Sequence, residues 1–158
     1  MAEPNMVPLS HSALSLYTQV CRPVLRELEL GQTAFDILML LGTHPGIRTA
    51  RDVVQTGGIK KNLVSMNVEK LVCAGYLTRE PMESDRRQVR LVLTPQAGPV
   101  VEKGLRLQKY YHDFLVRGLT PEELTVYKKC AAVIADNVAA LSDLLDEAEE
   151  RSRLHDIL

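Results

Sequence analysis

The sequence predicts a mainly α chain (α+β) on three observations. Apolar residues recur at three- and four-residue spacing over most of the 158 residues. One short stretch, 77–93, instead alternates apolar and polar side chains with a period of two. Two short helical segments separated by Gly57-Gly58 come immediately before it. Helix, tight turn, helix and then a two-stranded ribbon describe a winged helix-turn-helix. The longer helices on either side are expected to form a dimerisation region.

Residues 1–9 are expected to fray. From Ser10, a helical stripe runs through Leu14, Tyr17, Cys21, Val24 or Leu25, and Leu28. Pro23 lies inside it and should kink or break the helix, since it lacks an N–H and crowds the preceding turn. A second helix, about 32–43, is apolar nearly all round (Phe35, Ile37, Leu38, Met39, Leu40, Leu41), which places it at the centre of the core. His44-Pro45-Gly46 ends it. Thr49-Ala-Arg-Asp52 reads as a variant capping box opening a third helix to about Thr56. The fourth, about 60–74, buries Ile59, Val64, Val68 and Leu71 and stops at Gly75, a residue suited to a left-handed cap. The strands are 77–81 and 88–93, with Val89, Leu91 and Leu93 on one face. Thr94-Pro95 signals a fifth helix from that point to about Arg117, with the threonine as its cap. Thr120-Pro-Glu-Glu123 is a complete capping box for a sixth helix. There Leu124, Tyr127, Ala131, Ile134, Val138, Leu141 and Leu145 alternate spacings of three and four, the seam of a coiled coil.

A chain of this length buries roughly 70% of its unfolded surface, enough for one unstapled core. The expected organisation is a single domain, 1–158, with a winged lobe at 31–95 and dimerisation helices at 10–30 and 96–150. Three widely spaced cysteines (Cys21, Cys73, Cys130) suit a reducing cytoplasm better than a disulfide framework. No apolar run reaches the roughly 18 residues of a membrane span, and the first residues do not read as a secretory signal. Phosphate-loop, Gly-x-Gly-x-x-Gly, Cys-x-x-Cys and His-Glu-x-x-His motifs are all missing, and the four histidines are dispersed. No enzyme activity, catalytic residue, metal or cofactor is therefore expected.

Net charge is -1, but it is segregated. Residues 48–90 hold nine basic and five acidic side chains, a surplus of four, leaving the rest of the chain at -5. A local basic patch is what phosphate neutralisation requires. The fourth helix presents Lys60, Lys61, Asn62, Ser65 and Met66 away from its buried stripe. Lysines and an asparagine near a helix start can meet phosphates and base edges. Thr49 and Arg51 stand at the start of the preceding helix. At the hairpin tip, Asp85 can stiffen the loop while Arg86 or Arg87 enters a narrow minor groove. Duplex DNA is the expected partner.

The order Leu30…Phe35-Asp-Ile-Leu38, then Leu71-Val-Cys-Ala-Gly75-Tyr-Leu77-Thr-Arg79, then Ser84-Asp85-Arg86-Arg87-Gln-Val89-Arg-Leu91…Leu93-Thr94-Pro95…Gly98 resembles the MarR family of bacterial winged-helix regulators. The resemblance spans essentially the whole chain. It implies a homodimer on a roughly palindromic operator, with repression typically relieved by a small molecule or an oxidant. It also implies an interface built from the first, fifth and sixth helices, for which Leu14, Tyr127, Ile134, Val138, Leu141 and Leu145 are the candidates. A ligand pocket between the first helices and the reading lobe would draw on Tyr17, Cys21, Phe35, Met39 and Tyr111, residues whose spacing equally fits plain core. Met66, Asn67 and Gly57-Gly58 depart from the family pattern. Two alternatives accompany this reading: a winged helix used as a protein–protein module, and a redox-sensing regulator acting through Cys21.

Overall fold

The computed structural model describes residues 6–82 and 88–155. Its elements run α1 (Met6–Glu27), α2 (Gln32–Thr43), α3 (Ala50–Gly57), α4 (Lys61–Cys73), β1 (Leu77–Pro81), β2 (Val89–Leu93), α5 (Gly98–Leu115) and α6 (Pro121–His155). They form two compact units, Met1–Phe114 and Leu115–Leu158. Among the described residues, no helix is long and apolar enough to cross a membrane.

The first unit is built around α2. Its nearly continuous apolar sequence lets it touch α1, α3, α4 and β2 at once. Ala34, Phe35, Ile37, Leu38 and Met39 are all buried. α5 meets α2 at Gly104, where a Cβ would lie 2.2 Å from Met39 Sδ and 2.9 Å from Phe35 Cζ. A bare backbone is thus what lets α5 lie against the Phe35–Met39 turn. Val100 and Val101 of α5, with Cys21 and Leu25 of α1, complete this side of the core.

Pro23 does not break α1, which continues to Glu27. Cys21 and Leu25, on either side of the proline, are both buried, and their packing holds the helix through the missing hydrogen bond. The helix ends in a left-handed wrap: Glu29 has φ 53 and Leu30 N–H donates to Leu25 C=O at 3.0 Å.

β1 and β2 pair antiparallel, Leu77 opposite Leu93 and Pro81 opposite Val89. The period-two alternation holds only near the core. Leu91 is buried and Leu93 half-buried, but Val89 is exposed, because the outer end of the ribbon extends past the helices that cover its base. Leu91 N–H also donates to Arg48 C=O at 2.7 Å, which ties the segment entering α3 to the ribbon.

Thr94 does not cap the fifth helix with its side chain. Pro95–Ala97 form a 3-10 turn before α5 begins at Gly98. The Thr94 hydroxyl instead donates to the Gly75 carbonyl at 2.6 Å.

In the second unit, Thr120 N–H donates to Glu123 Oε2 at 2.8 Å, and Glu123 N–H to Thr120 Oγ1 at 3.2 Å. This reciprocal cap opens α6, whose 35 residues extend about 52 Å at 1.5 Å per residue.

Replacing Gly104 by Ala forces a methyl against Met39 and Phe35. We expect a loss of about 1–3 kcal/mol, the cost of overpacking, read as a lower urea midpoint with an unchanged slope. Gly46→Ala, with no atom within 4 Å of the new methyl, should leave the midpoint essentially where it was.

Candidate nucleic-acid interface

The local chemistry of residues 48–61 fixes how α3 and α4 start. Thr49 Oγ1 accepts the Asp52 N–H at 3.2 Å, while Asp52 Oδ2 accepts from the amides of Thr49 (2.8 Å) and Arg48 (2.9 Å). Burial pushes the Asp52 carboxyl up. The Arg48 and Thr49 hydrogen bonds, aided by the nearby Arg51 charge, outweigh it and hold the group below its ordinary value. Thr49 is thus committed to the cap through its oxygen, leaving its hydroxyl proton for any further contact. The α3–α4 turn is left-handed at Gly58, φ 59.

α4 turns Val64, Val68 and Leu71 inward and leaves Lys60, Lys61, Asn62, Ser65 and Met66 exposed. Asn67 is buried as well. The departure from an apolar residue there is absorbed inside the helix, since Asn67 Nδ2 donates to Leu63 C=O at 2.8 Å. Met66 is 48% exposed, so it is an apolar residue on the outward face rather than a core filler.

The base of the ribbon is fastened to the end of α4. Gly75, φ 79, closes the helix with Tyr76 N–H donating to Leu71 C=O at 2.9 Å and Gly75 N–H to Val72 C=O at 3.0 Å. Thr94 N–H donates back to Tyr76 C=O at 3.0 Å, beside the hydroxyl bond to Gly75. Helix and ribbon then flank a cleft of about 520 Å³ whose polar lining is Arg51, Lys61, Ser65 and Arg79.

Two of the basic side chains counted in the sequence are neutralised. Arg79 pairs with Glu69 at 2.8 Å and Arg90 with Glu80 at 2.6 Å. Arg48, Arg51, Lys60, Lys61 and Lys70 have no ion-pair partner among the described residues. Of the acids, Asp52, Glu69 and Glu80 are engaged within the fold, and the cations of α3 and the start of α4 are left facing outward. Asp85, Arg86 and Arg87 lie outside the described residues.

Residues 28–88 match the family model described as the MarR family. Over that segment the chain is similar to the MarR family. Its fold is shared by a MarR protein from Peptoclostridium difficile, with TM-score 0.75, 20% identity, and 89% of this chain and 91% of that one covered. A MarR-family regulator from Listeria monocytogenes, solved with a 26-mer DNA, gives TM-score 0.76 at 16% identity over 88% and 91% of the two chains. BpsR of Bordetella bronchiseptica, whose DNA binding is regulated by 6-hydroxynicotinic acid, gives 0.66 at 22% identity over 84% and 94%.

The pocket residues named from sequence are only partly brought together. Cys21, Phe35 and Met39 belong to the core, with Cys21 and Phe35 at 0% exposure. Tyr111 packs its ring on Tyr17, centroids 5.4 Å apart, and donates its hydroxyl to Ala13 C=O. A cleft of about 360 Å³ does open beside α2, and Tyr17 and Met39 reach its wall. Its polar lining includes Gln32, Asp36 and Gln108, which sequence reasoning left unassigned, beside Thr18, Thr43, His44 and Thr56. For Gln32 and Asp36, an amide and a carboxylate on the mostly apolar α2 were the signal available. Burial pushes the Cys21 thiol up, the opposite of what a thiolate sensor needs. Among the described residues, no group of three or more His, Cys, Asp or Glu side chains is placed to hold a metal ion.

The depressed Asp52 carboxyl gives a signed pH dependence. Its stabilisation is complete above the ordinary carboxylate range and is lost as pH falls through the lowered value. Asp52→Asn should destabilise the protein near neutral pH by about 1 kcal/mol, the usual value of a cap. The gap between wild-type and variant urea midpoints should then narrow as pH falls toward 3. A gap that stays constant with pH would show that the carboxylate is not the group responsible.

Proposed function

We propose that this chain is a sequence-specific DNA-binding transcriptional regulator of the MarR type, a repressor that acts as a homodimer in the cytoplasm on a pseudo-palindromic operator. The observation that carries this reading is the pairing of α4 with the ribbon. An outward face of Lys60, Lys61, Asn62, Ser65 and Met66 stands beside a ribbon pinned to the same helix end. Lys60, Lys61 and Arg51 neutralise phosphates, Asn62 and Ser65 meet base edges, and Arg86 or Arg87 reaches the adjacent minor groove. The Listeria relative solved with DNA supports this use of the fold.

Two-fold reading needs a second copy, and α6 supplies a reason for one. Tyr127, Ile134, Val138, Leu141 and Leu145 are all about half exposed or more, and nothing among the described residues of their own unit covers them. A seam of this length on a helix is stabilised by pairing with another helix. Leu14 of α1 is likewise exposed. Small-molecule control operates by favouring one spacing of the two reading lobes over another, as the regulation of BpsR by 6-hydroxynicotinic acid illustrates for a relative.

Operator sites come from footprinting the purified protein on its neighbouring genomic DNA. Affinity for such a site should fall steeply with salt. Lys60→Ala with Lys61→Ala should lower the magnitude of the log–log salt slope by about 2, one per lost phosphate contact. Reversing Arg86 and Arg87 to Glu should abolish operator binding while the thermal midpoint stays put. Unchanged DNA affinity in both variants would leave the winged helix as a protein–protein module.

Sedimentation tests the dimer separately. Ile134→Glu with Val138→Glu should yield a folded monomer that retains only weak half-site binding.

A further inference from the structure

We propose that the cleft beside α2 is a binding site for a small cationic ligand, an amidinium or ammonium carried on a flat apolar ring, held by the Asp36 carboxylate. This rests on the regulator reading only for its biological use, since the chemistry is set by the cleft itself.

At about 360 Å³ the cleft accommodates a one- or two-ring molecule. Its walls include Met39, Leu40 and Ile59, which suit a flat apolar body. Its polar side is a surplus of acceptors. Asp36 Oδ1 accepts from Gln32 Nε2 at 2.8 Å, and no other hydrogen bond reaches this carboxylate among the described residues. A carboxylate has about four acceptor sites, so most of its capacity is unused. The Gln32 carbonyl oxygen beside it is buried with no partner.

Several nearby donors are already engaged. Gln108 Nε2 donates to the Tyr17 hydroxyl at 3.3 Å, and the Thr43 hydroxyl to Met39 C=O at 2.6 Å. No lysine or arginine is among the described lining residues, and His44 is the one other lining group that can carry charge near neutral pH. An anionic ligand would therefore set its charge against Asp36 with no lysine or arginine to offset it. A cation supplies what the site lacks: a counter-charge for Asp36 and N–H donors for its free oxygen. The proposed ligand is thus opposite in sign to the carboxylic acid that regulates BpsR.

Benzamidine and benzoate, nearly isosteric and opposite in charge, are the probes. Each is titrated at matched millimolar concentrations into the full-length protein without DNA, with heat of binding and amide NMR shifts as readouts. We expect benzamidine to bind and to move the Gln32 and Gln108 side-chain amide signals, with benzoate at least tenfold weaker. Asp36→Asn keeps the shape and an acceptor for Gln32, and should weaken benzamidine at least tenfold with no loss of thermal stability. Equal or tighter benzoate binding overturns the proposal. So do benzamidine binding unaffected by Asp36→Asn and the absence of binding by either probe. If the variant does not fold, the two probes on the wild-type protein still decide. Because no DNA is present, failure here leaves the operator experiments untouched, and failure there leaves this site standing.

Discussion

The relation between α4 and the ribbon depends on a few hydrogen bonds around Gly75. A helix end leaves four carbonyls without intrahelical partners. Here the left-handed turn at Gly75 returns the Tyr76 and Gly75 amides to Leu71 and Val72, and the chain leaves at the angle that starts β1. Nineteen residues later Thr94 comes back to the same place, donating its amide to Tyr76 and its hydroxyl to Gly75. Gln96 Nε2 adds a bond to Ala74 C=O at 3.3 Å. Both ends of the ribbon are thus tied to the last turn of the helix. A side chain at position 75 would face a strained φ, so glycine suits this position, and its Cβ would also displace the Gln96 side-chain oxygen 2.9 Å away.

That tie gives the charge distribution its meaning. A surplus of four positive charges in 48–90 says little if the cations are scattered or paired. Glu69 and Glu80 each take one arginine, Arg79 and Arg90, on the ribbon side. Asp52 is spent on backbone amides at the start of α3. Engaging these three acids in this way leaves Arg51, Lys60 and Lys61 as an outward basic group next to Asn62 and Ser65. Ion pairs this exposed add little stability; their larger effect is on which charges remain available.

The core shows the opposite economy. α2 is apolar almost all round, yet it carries Gln32 and Asp36 toward the α1 and α5 side. Burial holds the Asp36 carboxyl above its ordinary value, and only Gln32 pulls it back. An orphaned acceptor such as Gln32 Oε1 costs about 1–3 kcal/mol. Apolar residues at both positions would avoid these costs, so the polar pair weakens the folded state beside the one cleft that Tyr17 also lines.

Most of the architecture was legible in the sequence, because local rules dominate there. The capping boxes at Thr49 and Thr120, the stop at Gly75, the bounds of α2 and β1 and the outward face of α4 all follow from residues within four positions of one another. The seam on α6 was legible for the same reason. What sequence could not give depends on contacts between distant segments. Thr94 reads as a cap until Gly75 is beside it, and Pro23 reads as a break until Cys21 and Leu25 are buried. Gly104 is unremarkable until Met39 and Phe35 meet it. Of the pocket candidates, Tyr17 and Met39 reach the cleft beside α2, while Phe35 and Cys21 pack inward, as aromatic and cysteine residues at helical spacing do. The polar cleft is assembled from α1, α2 and α5, whose residues 17, 36 and 108 have no local relation. Sequence by itself determined the elements and their exposed chemistry; tertiary packing decided which polar groups were consumed and which were left for a partner.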